Sequence, residues 1–243
     1  MKQIFILFAI ITSVNAHGQK SLKKNQTSTH KRVLIGLSFS PDYDYRTLKS
    51  NGTASGNLVR NSRNDVEISK MGFTAGADFC INFNQLLGIE TGLHYSNKGY
   101  QTKKQDLVFA QPIPGQPIKV SFIYRYNYLD IPLMAYFSFG KTRLHIIAGA
   151  GLEINALINA TQKNEYEYPN GNTEKNKLSS TANFKKFNIS PMISCGISYA
   201  INGKMVFRAA PAYRYGLIKT TDTPVGEHLW SAGLNIGLYY KLK

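Results

Sequence analysis

Acid is scarce in this sequence. It holds 14 Asp and Glu against 29 Lys and Arg, a formal net charge of +15 over 243 residues. It has two cysteines, Cys80 and Cys195. Both fall in strand-like patterns and the phases put them on opposite faces, which excludes a disulfide between them. Their spacing matches no metal motif. No apolar run approaches the ~20 residues that a bilayer-spanning helix needs. A mean hydropathy of -0.24 excludes a helical membrane bundle. Phosphate-binding glycine loops, zinc spacings and nucleophile elbows are missing, so no cofactor and no metal are expected. A chain of this kind in a membrane would have to cross it as a closed barrel.

What is present fits that requirement. Gly 20, Tyr 15 and Phe 13 stand out, with few helical patterns, which points to an all-β chain. Residues 1–18 read as a secretory signal: Lys2, an apolar core from Ile4 to Thr12, then the small-residue end at Ser13–Ala16. Residues 19–32 read as a disordered basic leader without an apolar face. Residues 33–243 read as one barrel domain. An exported protein seldom meets nucleic acid, so the surplus of lysine and arginine is expected to face lipopolysaccharide, acidic glycans or acidic proteins, or simply water.

Alternation with a period of two recurs along the domain. Between Met71 and Phe83, Met71, Phe73, Phe79 and Ile81 oppose Gly72, Thr74, Gly76, Asp78 and Cys80. The runs Val33–Ser40, Leu87–Asn97, Val120–Gly140, Arg143–Ile158, Phe187–Ile201, Met205–Tyr215 and Trp230–Tyr240 repeat it. Tight turns at Asn84-Gln85, at residues 140–142 and at Asn202-Gly203 alternate with long connections at 43–68, 99–119, 159–185 and 216–228. The expectation is a transmembrane antiparallel up-and-down barrel of about eight strands, with short periplasmic turns and long extracellular loops.

A soluble barrel of lipocalin type also has about eight strands, but is apolar inside. Three features favour apolar outside. The polar faces are crowded with glycine and serine, as a narrow lumen requires. The apolar faces end in aromatics (Tyr95, Phe139, Phe187, Tyr199, Tyr213, Tyr215, Trp230, Tyr240), as interfacial girdles do. The charges on the polar faces have mixed sign: Asp78, Glu90, Asp130 and Glu153 against Arg208 and Arg214. Such groups must pair in a closed lumen.

Near the middle of the chain stands Tyr128-Leu129-Asp130-Ile131-Pro132-Leu133. Its alternation sends Leu129, Ile131 and Leu133 outward and Asp130 and Pro132 inward. Asp130 is expected to pair with Arg208 or Arg214, and Pro132 to break ladder pairing at a bulge. The six residues resemble the Tyr-Leu-acidic-aliphatic-Pro-Leu signature of the outer-membrane β-barrel family of Bacteroidetes that includes the PorT-like proteins. That resemblance implies a central strand after a long loop, and for some relatives a part in secretion of surface proteins. The chain ends Tyr240-Lys241-Leu242-Lys243, where barrels usually end on an aromatic.

The expected role is that of a non-catalytic structural or accessory barrel in the bacterial outer membrane. Its expected partners are outer-membrane lipid, lipopolysaccharide, the barrel-insertion machinery and, where the resemblance extends to role, secretion-system proteins. The lumenal charges read as a structural network, since eight strands enclose only enough space for their own side chains. An enzyme at the outer rim would have to draw on Asp222, Glu227, His228 and His94, which share no motif spacing. The sequons at Asn25, Asn51, Asn159 and Asn188 carry no expectation in a bacterial protein.

Overall fold

The computed structural model describes residues 32–111, 114–140, 142–179, 181 and 183–242. The signal and nearly all of the leader lie outside the described residues.

Alternating apolar and polar residues build long strands, and eight of them close a ring. These are β1 (Arg32–Ser50), β3 (Lys70–Asn82), β4 (Leu87–Thr102), β6 (Lys119–Phe139), β7 (Leu144–Glu167), β9 (Phe187–Ala200), β10 (Met205–Tyr215) and β11 (Val225–Lys241). Each pairs antiparallel with its neighbour in sequence, and β1 closes on β11. Three short strands extend the long-loop side: β2 (Glu67–Ile68) on β4, β5 (Gln105–Asp106) on β6 and β8 (Thr173–Ser179) on β7.

The register fixes the shape. One row of partners runs Tyr43, Ala232, Tyr213, Ile193, Ala150, Ala135, Ile89, Ile81 and back to Val33. It returns ten residues down the strand it left, so the barrel has a shear of ten and a strand tilt of about 40°.

The inside-out polarity is as read from sequence. Leu37 is 71% exposed and Ile146 58%, with Phe39, Leu93, Leu133, Ile193 and Leu238 also on the outer wall. Asp42, Asp78, Asp130, Glu153, Arg208 and Arg214 are buried. Cys80 is buried and Cys195 exposed, both as free thiols. Inward glycines make room for the acids. A Cβ on Gly72 would overlap the Asp44 carboxylate, and one on Gly233 the Asp42 carboxylate.

Two expectations need correction. The stretch 43–68 is not simply a loop: β1 continues to Ser50, and α1 (Ala54–Val66) follows. Thr53 caps it, accepting from the Gly56 N–H at 3.1 Å. The helix shows little in sequence because its outward side carries Leu58 and Val59 and only Gly56 is buried. Nor does Pro132 sit at a bulge. The bulge lies between Asn127 and Tyr128, where β7 carries Ile158 as an extra residue. Pro132 keeps its place opposite Glu153, but the β4–β6 pairing skips Gly92 and Leu93 across from it. Pro41 and Pro211 each interrupt one ladder in the same way. A residue without an N–H can pair on one side only.

Candidate functional site: a charge-filled lumen under a helical cap

The lumen contains three layers of polar contacts. At the short-turn end, Arg208 donates to Glu90 at 2.8 Å and to the Tyr136 hydroxyl at 3.1 Å. Its guanidinium lies 4.7 Å and 4.6 Å from the ring centres of Tyr136 and Tyr239. The Cys80 thiol donates to Glu90 at 3.2 Å. Just above, His94 Nε2 and Asp78 are 2.7 Å apart, and the Tyr239 hydroxyl donates to Asp78 at 3.2 Å.

The middle layer is centred on Lys98. Its ammonium stands 2.8 Å from Glu153 and 3.2 Å from Asp130. Asn155 donates to both carboxylates at 2.7 Å and accepts from Ser190 at 2.6 Å. Arg214 spans the other side, with Nε 3.3 Å from Glu153 and Nη1 3.4 Å from Asp42. Asp42 also accepts from Ser40 and Thr74, both at 2.6 Å, and Asp44 lies 3.4 Å from Lys70.

At the long-loop end, tyrosines and a helix seal the mouth. Tyr100, Tyr126, Tyr128, Ala160 and Leu229 form a buried cluster. Above it Arg46 donates to Glu67 at 2.7 Å and reaches α1 at Asn64 (2.6 Å) and the Arg63 carbonyl (3.1 Å). Arg63 in turn binds Glu67 at 2.6 Å, and its Nη2 lies 2.9 Å from Glu227 and from the Tyr100 hydroxyl. The cavities left among these side chains are small: about 10 Å³ beside Lys98 and Arg214, and about 30 Å³ beside Arg208 and Glu90. The first holds about one water molecule.

All six charges singled out in the sequence point inward; five have a partner of opposite charge, and Asp78 meets the His94 imidazole at 2.7 Å. The partner expected for Asp130 needs correction. It is Lys98, with Arg214 one carboxylate away at Glu153 and Arg208 near the opposite end. Lys98 escaped notice because β4 runs on to Thr102, five residues past the end read from sequence. Asp42, Asp44 and Lys70 were missed likewise, where β1 and β3 extend into stretches that read as loop or strand edge. Continued alternation, 42-44-46 on β1 and 94-96-98 on β4, was the available signal.

The family model for the outer membrane protein beta-barrel domain matches residues 18–222, most of the chain. This chain belongs to that family. Its outer wall is therefore a lipid face, its short turns are periplasmic and its long loops and α1 are extracellular. Only β11 falls beyond the matched residues. No curated protein matches the chain. Among solved structures, OprG from Pseudomonas aeruginosa is similar at 13% identity and a TM-score of 0.48, covering 87% of this chain and 95% of that one. Neisserial surface protein A is similar at 14% and 0.45, covering 86% and 97%. The Escherichia coli outer membrane protease OmpT is similar at 10% and 0.42, covering 93% and 100%.

The four rim residues do not meet. His94 is deep in the lumen against Asp78, and Glu227 is engaged by Arg63, Tyr100 and Thr220. The His228 Nδ1 contacts the Gly216 carbonyl at 3.1 Å. Asp222 lies out on a loop, where hydrogen bonds from Lys185 and Lys219 hold its carboxyl below the usual range.

Proposed function

We propose that this chain is a non-catalytic component of the outer membrane, structural or accessory, which works through its extracellular surface and not through its lumen. The filled lumen carries that reading. Cavities of about 10 and 30 Å³ beside Lys98 and Arg208 support a lumen too crowded to pass a solute between Glu90 and Glu227. The separation of His94, Asp222, Glu227 and His228 speaks against chemistry at the rim. The motif Tyr128–Leu133 resembles the PorT-like signature, and this supports an accessory part in secretion of surface proteins. Deleting the gene and following surface protein export tests that part, and planar-bilayer recording of the purified barrel tests the closed lumen. Step-like conductance from the intact chain would overturn the reading.

One observation favours a second reading, in which the loops engage an anionic glycan, lipopolysaccharide or protein. Above the lipid face, β6, β7 and β8 continue as a sheet whose outward rows carry Arg125, Lys163, Lys175 and Lys177. Their acids are Glu165, shared by Lys163 at 2.7 Å and Lys175 at 4.0 Å, and Glu167, held by Lys104 at 2.6 Å. Trimming 159–185 separates the two readings. Lost ligand binding with export intact supports the second, and lost export supports the first.

A further inference from the structure

The lipid face carries a groove of about 680 Å³ where β1, β11 and β10 run side by side. Its origin is local. Tyr43, Ala232 and Tyr213 stand in one row of strand partners, all facing outward, so a single methyl group separates two phenol rings. The strand tilt of about 40° sets the direction of the gap. A line along the barrel axis that leaves Ala232 meets β10 about two residues below its partner Tyr213, at Pro211. Ala232 and Pro211 thus form the floor of a slot that runs along the membrane normal. The same step pairs Tyr43 with Leu234 as one flank and Trp230 with Tyr213 as the other.

Ring contacts hold the upper flanks in place. The Trp230 ring centre lies 6.1 Å from that of Tyr43, 5.9 Å from that of Tyr213 and 6.1 Å from that of Tyr45. Above this group the outward row turns polar, with Thr47 opposite His228, so the rings mark the extracellular end of the lipid face. Tyr43 and Tyr213 are exposed on the wall. Their hydroxyls and the Trp230 indole N–H make no hydrogen bond among the described residues. Three polar tips therefore stand without a protein partner at the head of a straight apolar slot.

We propose that this slot binds one saturated acyl chain of an outer-leaflet lipid, with the ester oxygens against Trp230, Tyr43 and Tyr213. The surroundings name the occupant. The slot is continuous with the wall that faces lipid, so a hydrocarbon chain is what covers it. Its flanks are packed rings, and a straight chain gains contacts along them that a chain bent by a cis double bond loses. Indole N–H and phenol O–H groups favour the layer where hydrocarbon gives way to polar oxygens. The proposal rests on the membrane-spanning barrel and is independent of the role given to the extracellular loops.

Trp230 is the only tryptophan in the chain, so its fluorescence reports on the slot directly. The test uses the full chain refolded into dioleoylphosphatidylcholine vesicles. These hold a trace of phosphatidylcholine with a nitroxide on a saturated stearoyl chain, which quenches on contact. The expected quenching of Trp230 is roughly three-fold above random contact at that mole fraction, the effect of about six added carbon contacts. Unlabelled dimyristoylphosphatidylcholine in excess over the probe should relieve it. Ala232→Phe, which fills the slot from its floor, should bring quenching down to the random level. Ala135→Phe, outward on β6 at the opposite wall, should leave it unchanged. Should Ala232→Phe fail to refold, Ala232→Leu takes its place with the same loss expected. Random-level quenching in the intact chain, an excess that saturated lipid does not relieve or that survives the filled slot, or one lost with Ala135→Phe, would overturn the proposal.

Discussion

Arg208 and Glu90 meet at 2.8 Å across the lumen, joining β10 to β4, two strands that share no ladder. The backbone ring alone does not set the distance between those strands. The contact, with both side chains nearly buried, acts as a cross-tie. Removing one partner strands a charge in a closed space, so Arg208→Met should cost about 3–5 kcal/mol. Changing both Arg208 and Glu90 to Met should recover most of that loss. Urea unfolding of the refolded barrel, followed by heat-modifiable gel mobility, measures both.

A second prediction concerns the inward glycines. Gly233 and Gly72 face the Asp42 and Asp44 carboxylates so closely that a methyl group has no space. Gly233→Ala should destabilise by about 1–3 kcal/mol through overpacking. Gly203→Ala, at a turn with open space around it, should change little. The same unfolding assay compares them.

The thiols give a third. Cys80 lies in the lumen and Cys195 on the lipid face, so gel mobility should not depend on reductant. A lipophilic thiol reagent should label Cys195 in the folded barrel and reach Cys80 only after unfolding. A disulfide-dependent mobility shift of the monomer would contradict the strand phases.

The cap gives a fourth. Arg63 ties α1 to Glu67 and Glu227, and Arg46 holds Asn64 from below. Arg63→Gln should loosen the helix and speed trypsin cleavage after Arg60 several-fold, while the barrel itself stays resistant. The readout is the rate of appearance of the fragment ending at Arg60.

The fold was legible because lipid on one side and a packed lumen on the other impose strict alternation, as Met71–Phe83 shows. The sign of that alternation was legible too, from glycine and serine beside Asp78 and Glu90. The partners of the charges were not. Whether Asp130 meets Lys98 or Arg208 depends on shear and on contacts between strands that are not neighbours, and local sequence encodes neither. The helix after Ser50 was hidden for a different reason. It buries one glycine and shows no apolar stripe, and its docking depends on Arg46 and Arg63 meeting Glu67 and Glu227.

The most direct measurement returns to Tyr128–Leu133. Single cysteines at Leu129, Asp130, Ile131, Pro132 and Leu133 in a Cys80→Ser/Cys195→Ser background, each carrying a fluorophore, can be scanned with a bilayer-soluble quencher. Leu129, Ile131 and Leu133 are 39%, 41% and 52% exposed on the outer wall, whereas Asp130 is 0% exposed and Pro132 fully buried. Strong quenching at 129, 131 and 133 and weak quenching at 130 and 132 is the predicted result. Uniform quenching, or the opposite phase, would contradict a barrel with lipid outside and charge within.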